Sequence, residues 1–272
     1  MSRCAWRSAT ALAVVALSGC ALRGPAPGDL AQAPAELAAT PFFEQRVDHC
    51  GPAALATLLV DSGRTELTPD ALSPVLFVPE RAGTLRTELL AVSRAQGRVP
   101  LTINGSMDGL LAALDAGYPV LVLQNLGVRW IPRWHYAVVV GVDAERGTVV
   151  LRSGREPRRH APIDIFLRTW ARSDYWGMVV SAPDAAPPFA QPLQWLRAAA
   201  PAESAGQTGL ALAAFTTAVT RWPESALAHA ALGNAHYAMG DTAQARRFWQ
   251  DALRLNPDLQ TARDNLAATA PD

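Results

Sequence analysis

The sequence predicts an α+β body followed by an all-α module. Three observations support this prediction. Helical signals come first in the body, and apolar extended runs dominate its later part, up to residue 181. A Pro-rich stretch, 182–192, then indicates a linker. Beyond it, residues 193–272 are Ala-rich, have a helical period and contain no β-branched run. Helices followed by an antiparallel sheet are typical of α+β folds, whereas alternating βαβ units would predict a parallel sheet.

Three segments of the body are predicted to be helical. The first, 51–59, is apolar and has Pro52 at its second position, where the missing N–H costs nothing. The others are 84–96 and 106–116, and Ser106 is the expected N-cap of the latter.

Four apolar runs are predicted to be strands, and they are residues 119–123, 135–142, 148–151 and 175–181. Residues 143–147 separate the second run from the third and read as a hairpin loop. Gly147 in this loop is free to take a positive φ.

Composition excludes several kinds of chemistry. The 24 basic residues are all Arg and are balanced by 24 acidic residues. Without Lys the chain cannot form a phosphate-loop Gly-Lys pair, a lysine Schiff base or a Ser-Lys dyad. Zero net charge argues against a nucleic-acid partner. The Cys and His spacings match no metal-ligand pattern, so we expect neither a metal nor another cofactor.

The N-terminus resembles a bacterial lipoprotein signal. Two Arg residues precede an apolar run that ends in Leu-Ser-Gly-Cys at Cys20. The resemblance implies removal of residues 1–19 and lipidation of Cys20, with 20–40 as a tether rich in Ala, Pro and Gly. Ala21 after the Cys implies the outer membrane, with the protein facing the periplasm. The alternative is an ordinary secretory signal that happens to contain a Cys.

Cys50 is the candidate nucleophile. If Cys4 leaves with the signal and Cys20 carries lipid, Cys50 is the one thiol of the mature chain. It stands at the start of the first predicted helix, where the helix dipole favours a thiolate. The alternative is a buried structural cysteine.

His135 is the candidate imidazole partner, because it opens an apolar strand where a side chain can face a cleft. His49 is adjacent to Cys50 and is expected to point elsewhere, and His160 is expected in a polar loop. His135 could instead be an ordinary histidine of the core or of the sheet edge. Trp130 and Trp134 would either wall a substrate groove or pack against the end of the sheet.

Two segments together resemble the papain-like cysteine peptidases that process bacteriocin leader peptides. They are 45–55, with Gln45 and the run Asp-His-Cys-Gly-Pro-Ala-Ala-Leu, and 134–141, an apolar strand led by His and ended by Gly. The resemblance covers 41–181 and implies a papain-like fold. By position it makes Cys50 the nucleophile, His135 the general base and acid, and Gln45 the oxyanion donor.

The chain departs from the family pattern at two places. Gln45 has one residue fewer before the Cys than is usual. Ser153 stands where the family carries the Asp or Asn that orients the His, so Ser153 is the candidate orienting residue. A hydroxyl can accept from the imidazole N–H, but it lacks the charge that stabilises imidazolium. Asp143 or Asp164 could serve instead.

The C-terminal module repeats with a step of 34 residues. Ala, aromatic, Ala and Pro positions recur at 211–223 and 245–257. With Leu-Gly at 232–233, they resemble the tetratricopeptide repeat, best over 226–259. Residues 260–269 are expected to form a capping helix. The alternative is a generic Ala-rich helical hairpin. Such repeats imply a protein partner.

The sequence therefore predicts a lipid-anchored cysteine peptidase of the bacterial cell envelope. It would hydrolyse or transfer a peptide amide of a peptide or protein substrate through a thioester on Cys50. The alternative is a non-catalytic scaffold that has a peptidase-like fold and binds peptide or protein partners.

Overall fold

The computed structural model describes residues 35–46, 49–81 and 83–270. The predicted signal, the lipidation site Cys20 and most of the tether lie outside the described residues. Within the described part of the chain, no helix has the length and apolarity needed to cross a membrane.

The body begins with helices and continues into strands. Its helices are α1 (Cys50–Asp61), α2 (Pro69–Leu76), α3 (Arg86–Ala95), α4 (Met107–Asp115) and α5 (Ile163–Ala171), with a 3₁₀ turn at Pro79–Arg81. Its strands are β1 (Val99–Thr102), β2 (Val120–Asn125), β3 (Trp134–Asp143), β4 (Thr148–Ser153), β5 (Glu156–Pro162) and β6 (Gly177–Ser181). The α+β prediction is confirmed.

The six strands form one antiparallel sheet in the order β1-β6-β2-β3-β4-β5. Both of its faces are buried. Val138 and Val140 of β3 pack in a cluster with α1, α2 and α3, whereas Ala137 and Val139 pack on the other face with α4 and α5. Since side chains alternate along a strand, burial of both faces explains why β3 is continuously apolar.

Five further helices follow: α6 (Pro192–Ser204), α7 (Thr208–Arg221), α8 (Ala226–Ala238), α9 (Thr242–Leu255) and α10 (Gln260–Ala268). They share a core with the sheet, because Trp195 of α6 and Phe215 of α7 belong to the same buried cluster as the strand residue Leu101. In the α8–α9 pair, Trp249 packs against Gly233, where an added Cβ would lie 2.6 Å from the indole ring.

The local predictions are confirmed at several points. The three predicted helices correspond to α1, α3 and α4, and the four apolar runs to β2, β3, β4 and β6. Ser106 caps α4 by accepting from the Gly109 N–H at 3.0 Å. Gly147 has φ 61°, and α10 corresponds to the expected capping helix.

One local prediction is wrong. His160 lies in β5 and not in a loop. β5 is a polar edge strand that pairs with β4, so its sequence carries no apolar alternation to reveal it. Sequence analysis also missed α2, α5 and β1; α5 has apolar residues at helical spacing, Ile163, Phe166 and Trp170.

The predicted tether and the predicted linker both contact the folded body. Arg152 donates to the carbonyl oxygens of Ala38 and Thr40, each at 3.2 Å, so the last residues of the predicted tether are held against the sheet. In the predicted linker 182–192, the carbonyl oxygen of Pro183 accepts from Thr217 Oγ1 of α7 at 2.9 Å.

Candidate active site

A cleft of about 1010 Å³ opens beside the start of α1 and the ends of β3 and β4. Cys50, His135 and Gln45 all line it, although 85 residues of sequence separate the first two. Its lining also includes Arg81 at the end of the 3₁₀ turn, Arg86 at the start of α3, and residues 83–85, 132–133 and 154–155. The fold therefore brings three of the predicted site residues to one cavity.

Cys50 is the first residue of α1 and is half-buried. The next residue, Gly51, packs closely against Thr84 in the cleft wall. A Cβ at this position would lie only 2.4 Å from Thr84 Oγ1. The absence of a side chain at Gly51 thus lets the loop carrying Thr84 pack directly against the start of α1. At that position the Cys50 sulfur lies near the positive end of the helix dipole, which favours its thiolate.

His135 is held by Ser153. Its Nε2 lies 2.8 Å from Ser153 Oγ, at the end of β4. When Nε2–H donates to this hydroxyl, Nδ1 carries the lone pair and is the ring atom able to accept a proton from a thiol. Ser153 is buried, whereas His135 is half-buried and lines the cleft.

The electrostatic surroundings disfavour a charged His135. Burial, followed by the positive charges of Arg159 and Arg133, lowers the pKa of His135 from 6.5 to about 4. An acidic group behind the ring would oppose this effect. The alternatives considered for that position do not supply it: Asp143 is paired with Arg146 at 3.4 Å, and Asp164 is paired with Arg168 on the exposed face of α5.

Gln45 joins the two strands that carry His135 and Ser153. Its Nε2 donates to the Tyr136 carbonyl oxygen at 3.1 Å, and its Oε1 accepts from the Gly154 N–H at 2.8 Å. One amide hydrogen is therefore committed to the Tyr136 carbonyl oxygen of β3. Its role as an oxyanion donor stays a prediction, as do the roles of Cys50, His135 and Ser153.

Tyr136 is a cleft residue that the sequence did not single out. Its hydroxyl donates to the Thr84 carbonyl oxygen at 3.1 Å. Burial raises the pKa of Tyr136, and the charge of a Cys50 thiolate raises it further. The phenol therefore stays protonated at physiological pH. The only sequence signal was its position directly after His135.

The loop between β2 and β3 shapes the cleft rim. Buried Asn125 accepts from the N–H groups of Gly127 and Arg133 at 3.0 and 2.9 Å, which fixes both ends of the loop. Trp134 lines the cleft and is 52% exposed, and Trp130 is 80% exposed. Both indoles therefore stand away from the core. Trp134 forms part of the cleft wall, as the groove alternative expects, whereas Trp130 is not among the residues that line the cleft.

The remaining histidines lie elsewhere. His49 stacks on Phe77, with ring centroids 5.6 Å apart. His160 lies 2.9 Å from Thr148 Oγ1 through its Nδ1. His229 and His236 belong to α8. Among the described residues, His135 is thus the histidine that lines the cleft with Cys50.

Comparison with known proteins gave three findings. The family model of the tetratricopeptide repeat matches residues 226–259, the unit that the sequence pattern predicted. A putative C39-like peptidase from Bacillus anthracis has a similar structure, with 14% identity over 53% of this chain and 94% of that one, and a TM-score of 0.45. The peptidase domain of Streptococcus ComA, a bi-functional ABC transporter involved in a quorum-sensing pathway, has 18% identity over 52% and 96%, with a TM-score of 0.40.

Among curated proteins, no significant match to the sequence was found. The predicted tetratricopeptide-like repeat is thus matched by a family model over 226–259.

Proposed function

We propose that the body is a cysteine peptidase that uses Cys50 as its nucleophile. The observation that supports this most directly is the common cleft of Cys50 and His135, with the His135 ring oriented by Ser153. Cys50 would attack a peptide carbonyl carbon and form a thioester, while His135 would pass the thiol proton to the leaving amine. Water, or another amine, would then release the acyl group.

The electrostatics of the cleft define how this mechanism would run. A His135 pKa of about 4 means that the ring is neutral at physiological pH. The resting pair would then be a thiol and a neutral imidazole, with no standing ion pair. His135 would act as a general base during the attack. The helix dipole at Cys50 would share the stabilisation of the developing thiolate.

A cleavage experiment tests the proposal. Full-length protein in non-ionic detergent is incubated with a mixed peptide library, and the products are identified by mass spectrometry. We expect cleavage by the parent and none by Cys50→Ala, with His135→Gln reduced by a factor of about 100 or more. Arg168→Gln, on exposed α5, is the control expected to cleave like the parent. Equal cleavage by parent and Cys50→Ala would refute the proposal.

A specific observation favours a second candidate function. Since the orienting group is neutral Ser153 and two arginines act against imidazolium, the fold could bind peptide without cleaving it. In this non-catalytic scaffold, the parent and Cys50→Ala would bind peptides equally and neither would produce fragments. A covalent adduct between Cys50 and a peptide aldehyde, detected by intact mass, would refute the scaffold alternative.

We also propose that the protein is anchored by lipid on Cys20 at the outer membrane, facing the periplasm, and that 193–272 recruit a protein partner. The Leu-Ser-Gly-Cys signal supports the anchor, and the tetratricopeptide match supports the partner. Metabolic labelling with palmitate should mark the parent but not Cys20→Ser, and membrane fractionation should follow the label. Labelled Cys20→Ser protein would refute the anchor.

A further inference from the structure

The described lining of the cleft is strongly basic although the whole chain has no net charge. Five of its side chains are arginines, and none of the described lining residues is acidic; the five are Arg46, Arg81, Arg86, Arg133 and Arg155. They come from four separate parts of the sequence. Their convergence around the candidate nucleophile concentrates positive charge where a substrate must enter.

These arginines differ in how strongly they are already neutralised. Arg46 pairs with Asp70 at 3.3 Å and Arg155 with Glu44 at 3.2 Å, in each case with both side chains largely exposed. Exposed pairs of this kind are weak and exchange readily with another anion.

Arg81 and Arg133 are the cleft arginines best placed to receive an acidic ligand. Both are exposed, and neither has a carboxylate within ion-pair distance among the described residues. Arg133 is also held at the rim by its backbone bond to Asn125. This bond fixes the backbone of Arg133, and its exposed guanidinium can bind a carboxylate through two parallel hydrogen bonds.

From this arrangement we propose that the cleft selects peptides carrying Glu or Asp side chains near the bond that faces Cys50, with Arg81 and Arg133 as the receiving groups. The proposal deepens the proposed peptidase function by naming its substrate class. Exposed Trp134 beside Arg133 offers an apolar surface for the neighbouring side chain.

An acidic ligand would also change His135. Arg133 is one of the two arginines whose charge acts against protonation of the ring. A substrate carboxylate bound to Arg133 would cancel much of that charge and make His135 a stronger base. Acidic residues in the substrate would therefore improve both its binding and the proton transfer to His135. The effect on proton transfer should appear in kcat.

Binding to the Cys50→Ala full-length protein tests the substrate class without requiring cleavage. The probes are fluorescein-labelled dodecapeptides with amidated C-termini, made of four Glu-Ala-Gly, Gln-Ala-Gly or Lys-Ala-Gly units and measured by fluorescence anisotropy. We expect the Glu peptide to bind at least about tenfold more tightly than the Gln peptide at about 50 mM salt, and the Lys peptide to bind least. The preference should shrink at about 500 mM salt.

Two variants locate the effect. Combined Arg81→Gln and Arg133→Gln substitutions should abolish the preference for Glu, whereas Arg168→Gln, a similarly exposed arginine of α5, should preserve it. Equal or absent binding of the Glu and Gln peptides would overturn the proposal, as would a preference that survives the double substitution. If the Glu peptide binds selectively but Cys50-containing protein leaves it intact, the peptidase proposal fails and the acidic-ligand proposal stands.

Discussion

Replacing Ser153 with Asp should restore to His135 the negative charge that the site lacks. Ser153 Oγ is 2.8 Å from His135 Nε2, so an Asp carboxylate would lie close to the ring. At about 4 Å and an effective dielectric constant near 20, two unit charges attract by about 4 kcal/mol. That energy corresponds to a rise of about three in the His135 pKa.

Burial of the new carboxylate opposes part of this gain, because Ser153 is only 2% exposed. We therefore expect the pKa of His135 to rise from about 4 to between about 5 and 7. A higher imidazole pKa stabilises the thiolate of Cys50 through the ion pair. At about pH 6, alkylation of Cys50 by iodoacetamide should then be about 10 to 100 times faster in Ser153→Asp than in the parent.

The assay is the rate of Cys50 alkylation against pH, followed by mass spectrometry of the peptide that contains Cys50. Ser153→Asn is the matched control, since Asn has nearly the same shape as Asp and no charge. It should change the rate by less than about threefold. The reasoning is wrong if Ser153→Asp and Ser153→Asn change the alkylation rate equally. It is also wrong if Ser153→Asn alkylates like the parent, so that the larger side chain is tolerated, and Ser153→Asp still leaves the pH profile unchanged.

Three other predictions concern stability. Folding lowers the pKa of His135 from 6.5 to about 4, so as the pH falls the unfolded chain binds this proton before the folded chain does. The free energy of unfolding should therefore fall by up to about 3 kcal/mol between about pH 6.5 and pH 4. Urea titrations should show a smaller loss in His135→Gln. Gly51→Ala should lower the unfolding free energy by about 1–3 kcal/mol because its Cβ would overlap the cleft wall, whereas Gly209→Ala in α7, whose Cβ meets nothing, should be neutral or stabilising. Gly233→Ala should lower the unfolding free energy by a similar amount, because its Cβ would displace Trp249. Unchanged melting temperatures for Gly51→Ala and Gly233→Ala would contradict the close packing at these two glycines.

Much of the fold followed from local patterns in the sequence. Buried strands are apolar throughout, so β2 and β3 were visible as continuous Val- and Leu-rich runs. The 34-residue step predicted the repeat, because the small residue at Gly233 and the large one at Trp249 must pack together. Polar β5 carried no such pattern, since it pairs at the sheet edge and exposes most of its side chains.

The candidate site, too, was only partly predictable from the sequence. Cys50 and His135 could be selected because each stands where a regular element begins, and a motif links them. The arginines of the cleft could not, because positions 46, 81, 86, 133 and 155 belong to four separate parts of the sequence that come together only after the sheet has formed. Net charge is a property of the whole chain, and a value of zero conceals a basic cavity whose balancing carboxylates lie elsewhere.

The sheet also explains how the helical module is related to the cleft. One face of the sheet packs α1, which carries Cys50, and the opposite face packs α6 through buried Trp195. Trp195 Nε1 donates to the Ala214 carbonyl oxygen of α7 at 2.8 Å, so the first two helices of the module are fastened together at the sheet. A shared buried core resists the relative motion that a flexible linker would permit. A protein partner bound by the repeats would therefore meet the body at a fixed orientation.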